Sequence, residues 1–177
     1  MGVRTVAEDD DLRRAQRGDA AAFTTLVDRH HADMLRVAYV ICGDVELARD
    51  AAQQAWIKVW QGLPGLRQPE RFRSWLVAIV GNEARQSLRA RRRRSIRELP
   101  MPDDRHEPSS PPSTTDGMDL ASALARLEPA DRELLAMRYL VGLGSEEIAR
   151  ATGRSASGVR ARLSRLTTRL REDLTDV

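Results

Sequence analysis

Apolar residues recur at helical spacing along most of this chain. Phe23, Leu26, Val27, Met34, Leu35, Ala38 and Ile41 mark one amphipathic helix that ends at Gly43-Asp44. Asp44 is suited to cap a second helix, in which Ala48, Ala51, Ala52, Ala55 and Val59 form a narrow stripe of small residues that stops near Gly62. A loop, GLPGLRQPER, follows, and a third helix then buries Phe72, Trp75, Leu76, Ile79, Val80 and Leu88. Further along, Leu120, Leu124 and Leu127 share a helix, and Pro129 fits the first turn of another. A short helix starts at Ser145, and a long one runs from about Ser155 to Leu174. Nowhere do β-branched and aromatic residues alternate over a strand's length. The pattern predicts an all-α protein.

The pattern lapses once. From Leu99 to Asp119 the sequence reads LPMPDDRHEPSSPPSTTDGMD, with five of the chain's 8 prolines and almost nothing apolar. Such a stretch cannot bury enough surface to offset the entropy of ordering it, so it reads as a flexible linker. The expected organisation is two small helical domains on a tether. An acidic, disordered N-terminus (1–16) precedes a three- to four-helix bundle (17–97), then come the linker (98–117) and a block of about four helices (118–177).

Composition adds exclusions. The 177 residues are 41% hydrophobic, enough for modest cores, and 31% charged with a formal net charge of +3. A single cysteine, Cys42, excludes an intramolecular disulfide and a Cys-based zinc site; at the end of an apolar helix it reads as a buried, unreactive thiol. His30 and His31 are adjacent, point about 100° apart on a helix and cannot share a metal, so a structural role at or near the surface is expected. His106 falls in the linker. No paired carboxylates, glycine-rich phosphate loop or nucleophile with its base can be assembled, so neither an enzyme nor a metal or cofactor is expected. No apolar run approaches the roughly 18 residues that span a bilayer, which points to a soluble, cytoplasmic chain.

Charge becomes informative through its placement. In GLGSEEIARATGRSASGVRARLSRLTTRLREDL, Ser145 is placed to cap a short helix, with Glu146 and Glu147 in its first turn. Ile148 and Ala149 face inward, Gly153 ends the helix in a left-handed conformation, and Ser155 caps the next. This is the grammar of a helix-turn-helix. On the second helix Val159, Leu163, Leu166 and Leu170 form one apolar stripe. Arg160, Arg162, Ser164, Arg165, Arg169 and Arg171 take the remainder, and no acidic residue stands between Ala156 and Arg171. A merely solvated helix would interleave Glu with Arg, so this face fits the phosphates and base edges of a DNA major groove. In the first block, Asn82, Arg85, Gln86 and Arg89 lie opposite Trp75 and Ile79 and run into Arg91, Arg92, Arg93, Arg94 and Arg97. Two tethered basic modules gain effective concentration on one DNA.

Taken in order, DVELARDAAQQAWIKVW, FRSWLVAIVGNEARQSLRARRRR, the polar linker and LEPADRELLAMRYLVGLGSEEIARATGRSASGVRARLSRLTTRLR carry a resemblance. Over residues 17–95 and 118–174 the chain resembles bacterial extracytoplasmic-function (ECF) RNA polymerase sigma factors, the two-domain type with sigma regions 2 and 4 only. The resemblance implies a promoter-specificity subunit that acts on core RNA polymerase, with promoter DNA and an anti-sigma factor as further partners and no obligate homo-oligomer. It implies that Asp50, Gln53, Gln54, Ile57 and Trp60 dock on the clamp helices of the polymerase β′ subunit, the β subunit being a further contact. The family usually has acidic residues where Arg49 and Gln54 stand and larger apolar ones at Ala51 and Ala52; Trp60 reads equally as an anchor there or as a core residue.

The resemblance also implies that a flipped base of the melted −10 element is captured beside Leu66, which stands in place of an aromatic. The strand would then track along Asn82, Arg85, Gln86 and Arg89. Phe72, Trp75 and Ile79 are assigned to the core. The −35 element falls to Arg160, Ala161, Ser164 and Arg165, with Ser157 near a phosphate and Arg162 at a phosphate or in an intrahelical pair. Ser157-Gly158 replaces the family's common Gly-Thr. A free-standing helix-turn-helix regulator would share the second block but has no use for the helix of Asp50 to Trp60.

Overall fold

The computed structural model describes residues 6–97 and 115–175, which are helical apart from short connections, with no strand among them. The first block holds α1 (Val6–Gln16), α2 (Ala20–Cys42), α3 (Val45–Gly62) and α4 (Phe72–Arg97), with two 3-10 turns, Leu63–Gly65 and Pro69–Arg71, ahead of α4. The second holds α5 (Thr115–Ala125), α6 (Pro129–Leu135), which runs on as a π-helical turn at Ala136–Leu140, α7 (Ser145–Thr152) and α8 (Ala156–Thr175). Most of the expected linker, His106 included, lies outside the described residues; its last three positions belong to α5.

Local chemistry sets the helix ends. Asp19 caps α2 by accepting from the Ala21 and Ala22 amides at 3.0 and 3.1 Å, and Arg14 clasps its other oxygen at 2.7 Å. The Ala22 amide first, then Arg14, hold this carboxyl below the usual carboxylate range. Gly43 closes α2 at φ 68°, which a side chain would resist, and Asp44 accepts from the Leu47 amide at 2.9 Å to start α3. The alanine stripe of α3 is fully buried, as expected, and its small side chains let α2 and α4 approach closely. Leu26, Val37 and Ile41 of α2, Val59 of α3, and Phe72, Leu76 and Val80 of α4 fill the core.

Several expectations change. The N-terminus is not disordered from Val6 onward. Leu12 and Ala15 of α1 are core residues, and Glu8 is buried against His30 at 3.0 Å, so tertiary contacts fix a segment whose own pattern is weak. His30 is accordingly buried rather than superficial. Gly144, not Ser145, caps α7; its amide donates to Glu147 at 2.7 Å. Leu120 is 42% exposed, while Leu127 is buried.

The two blocks do not stand apart. The α6 segment and its π-turn lie on α2, and α7 lies on α4. Val141 lines one small gap together with Met34, Leu76 and Val77, and the core residues of both blocks form one cluster. Arg73 of α4 donates to the Val141 carbonyl at 3.2 Å across this seam.

Candidate nucleic-acid interface

Helix α8 is set by the turn before it. Gly153 takes φ 67°, and Ser155 Oγ accepts from the Gly158 amide at 3.1 Å, so the cap reading holds. Val159, Leu163 and Leu166 are buried against the second block, which leaves Arg160, Ala161, Ser164 and Arg165 together on one solvent-facing side. Ser157 is exposed at the start of the helix, 3.4 Å from the Ser155 hydroxyl. Arg162 departs from expectation. It pairs through two nitrogens with Asp131 of α6, at 2.8 and 2.5 Å, rather than within its own helix, and that pairing strengthens its hold on its proton. It braces α8 from behind the arginine face.

On α4, Asn82, Gln86 and Arg89 are exposed along one side. Arg85 is half-buried; it donates to Asn82 and forms an ion pair with Glu133 of α6. Burial first, then the neighbouring Arg89 and Arg154, lower the proton affinity of Arg85. Of the basic tract that follows, Arg91 is spoken for, bonded to Asp44 at 2.6 Å, while Arg92, Arg93 and Arg94 are exposed.

Leu66 borders an open cleft of about 680 Å³ that also draws on Arg67, Gln68, Arg71, Ser74 and Trp75, with Arg150 reaching in from α7. Trp75 is therefore not a plain core residue. Its ring is half-buried and rests so near Gly62 that a Cβ there would sit 3.0 Å from it. Trp75 and Leu66 line the same cleft. The cleft loop is tied down by α1, because Gln16 Nε2 donates to the carbonyls of Leu66 at 2.8 Å and Leu63 at 3.3 Å. Sequence reasoning missed Gln16, whose partners lie far along the chain. Arg67 and Arg71 were legible as basic residues in the loop, but not their convergence on the cleft.

The opposite side of α3 presents Asp50, Gln53, Gln54, Ile57 and Trp60 to solvent as one strip. Trp60 is 39% exposed and leans on Phe23, ring centres 4.8 Å apart, whereas Trp56 is the core tryptophan and donates to His31 at 3.2 Å. Arg49 points to Glu46 on the same helix at 2.5 Å. Cys42 is buried, and burial pushes its thiol up to about 12, so it is inert as a nucleophile. Among the described residues no cluster of three His, Cys, Asp or Glu side chains is placed to hold a metal, and no helix is long and apolar enough to cross a membrane.

Comparison with known proteins agrees with this layout. The family model for sigma-70 region 2 matches residues 26–94, and that for sigma-70 region 4 matches residues 117–170. The chain is 32% identical over 93% of its length to the RNA polymerase sigma factor RfaY of Xanthomonas campestris pv. campestris, of which it spans 43%. It is 30% identical to the RNA polymerase sigma factor NccH of Alcaligenes xylosoxydans xylosoxydans, across 89% of each chain. The solved structure of CnrH in complex with the cytosolic domain of CnrY superposes with a TM-score of 0.73 at 25% identity, covering 96% of this chain and 98% of that one. With both regions in the family's order, and a relative of nearly its own extent, the chain belongs to the sigma-70 family of transcription initiation factors, in the two-domain extracytoplasmic-function group.

Proposed function

We propose that this chain directs core RNA polymerase to particular promoters by reading duplex DNA at −35 with α8 and capturing the melted −10 strand with α4 and the Leu66 cleft. The observation that carries the reading is the outward row of Arg160, Ala161, Ser164 and Arg165, free of any carboxylate on that helix face. Either arginine can bond a guanine edge bidentately, and Ala161 can receive a thymine methyl. Asn82, Gln86 and Arg89 suit a single strand, with amides for base edges and a guanidinium for phosphate. Trp75 at the cleft wall offers a surface on which a flipped base can stack, recovering part of the few kcal/mol that flipping costs.

In the same reading the strip from Asp50 to Trp60 is the dock for polymerase, with Ile57 and Trp60 as its apolar anchors within a polar surround. Polymerase supplies the nucleotidyl transfer. CnrH was solved with the cytosolic domain of CnrY, which supports a protein partner for this chain as well; the family resemblance implies an anti-sigma factor in that place.

Two substitutions test the division of labour. Arg165→Ala is expected to relax base preference at one −35 position by about tenfold, from the roughly 1–3 kcal/mol carried by a bidentate arginine–guanine contact. Arg89→Ala should impair strand opening and leave −35 preference unchanged. Permanganate footprinting and −35 competition binding separate the two, and exchanged outcomes would refute the assignment.

A further inference from the structure

The backbone that carries Leu66 is held by a side chain from the start of the first block. Gln16, half-buried as the last residue of α1, donates from Nε2 to the Leu66 carbonyl at 2.8 Å and to the Leu63 carbonyl at 3.3 Å. The Leu63 carbonyl also accepts from the Leu66 amide at 3.1 Å, which closes the 3-10 turn between them. Gln16 therefore bonds both ends of a single turn. A primary amide nitrogen has only two protons to give, and here each goes to a loop carbonyl. Helix α1 gives that amide a fixed base. Leu12 and Ala15 are buried in the core, Gly18 turns the chain at φ 90° just beyond the helix, and Arg14 clasps Asp19 across that turn. From the other side the Trp75 ring rests on Gly62, immediately before the 3-10 turn. Pro64, Gly65, Arg67 and Gln68 are exposed, so the loop takes its shape from these grips rather than from burial of its own.

We propose that Gln16 is a positioning residue for base selection: by fixing the Leu66 turn opposite Trp75 it sets which base the cleft accepts from the melted −10 strand. The assignment rests on the −10 reading and names a residue that acts on the base through the turn. Selection is a difference of affinities, and a cleft wall that can shift admits a wrong base nearly as well as the right one. General hold on the strand belongs to Asn82, Gln86 and Arg89, which lie on α4 and owe nothing to α1. Gln16 therefore affects the preference for one base over another at a single position, and leaves the grip on the rest of the strand as it is. The requirement is chemical as well as steric. A carboxylate of the same shape has no proton to donate and would set its oxygens against both carbonyls.

The test uses the full chain bound to core polymerase. Gln16→Glu removes both donors at constant shape, and Gln16→Leu replaces the amide with an apolar side chain of similar size. The probe is the non-template −10 strand of a promoter on which the wild-type chain starts transcription, with each position carrying each base in turn. Leu66→Ala locates the position read by the cleft, as the one whose base preference it alters. At that position the quantity measured is the ratio of affinities for the best base and for the others. A variant that is merely less folded binds every strand less and keeps this ratio, so the ratio separates positioning from stability. The expected result is a fall in the ratio of about tenfold in both Gln16 variants, roughly the worth of a pair of ordinary hydrogen bonds. Ratios at the other positions, and affinity for the −35 duplex, should stay at the wild-type values. A ratio unchanged in either variant, or a loss of affinity shared equally by all strands, overturns the role of Gln16 and leaves the −10 reading standing. If Leu66→Ala alters base preference at no position, the cleft reads no base, and the −10 reading falls together with the role of Gln16.

Discussion

His30 sits 3.0 Å from the Glu8 carboxylate, with the Phe72 ring edge-on to it at a centre distance of 5.5 Å. Burial lowers its proton affinity below that of a free imidazole; Glu8 pulls the other way, and Arg73 and Arg29 add to the depression. The unfolded chain therefore takes up this proton at higher pH than the folded one. Stability contributed here is present above the ordinary histidine range, declines as pH falls through it, and levels off once the folded imidazole also charges. For one proton the slope is at most about 1.4 kcal/mol per pH unit. Urea unfolding at a series of pH values should show stability falling as pH drops through the ordinary histidine range, with a slope no steeper than that bound, and His30→Gln should flatten the fall. A variant with the same pH dependence as the wild type would show that the dependence originates elsewhere. Arg162 makes a related point about context. Its place on α8 suggests a DNA contact, yet its bond to Asp131, 31 residues away, turns it into a brace.

At the scale of elements, α3 serves two masters with two faces. Its alanines and Val59 sit in the core, and its outer strip carries Ile57 at 46% and Trp60 at 39% exposure. Large apolar groups left in water beside polar neighbours are what a partner surface requires. Ile57→Asp should therefore weaken co-purification with core polymerase by an order of magnitude or more, roughly the loss of one interface anchor, while moving the thermal midpoint little. A large fall in the midpoint with polymerase binding intact would place Ile57 in the fold instead. How much of each element was legible follows from where its signals lie. The ends of α2, α3 and α8 are written in Asp19, Gly43, Asp44 and Ser155, each acting within a few residues of itself. Helix α1 is stabilised by distant partners: Leu12 in a core built by other helices, Glu8 on His30, and Gln16 on the Leu63 and Leu66 carbonyls. Its own run of acids carries no trace of them, so it reads as a tail. The arginine face of α8 was legible from periodicity, whereas the outer strip of α3 was expected only from the family resemblance, with Trp60 readable as anchor or core; Trp75 sits at the edge of its apolar stripe, where spacing does not separate core from cleft.

For the whole molecule, the sequence pattern marks out two blocks but is silent on their contact, because the residues that meet across the seam have no periodic relation to one another. Gly81 and the buried Glu133 are its visible traces: a glycine disfavoured in mid-helix and a buried carboxylate, placed so that the one leaves room for the other. Such local conflicts tend to mark functional positions. Two basic surfaces then have different access: α8 is open, and α4 is partly covered.

In the proposed reading, both arginine-bearing modules act together on a promoter when the chain is bound to core polymerase. Run-off transcription by core polymerase and this chain, over a library of randomised upstream DNA, tests it most directly. Transcripts are expected to begin downstream of one shared two-part motif, its upstream half sensitive to Arg165 and its downstream half to Arg89. A chain that fails to bind the polymerase, yet holds a palindromic duplex tightly as a symmetric dimer, would contradict it.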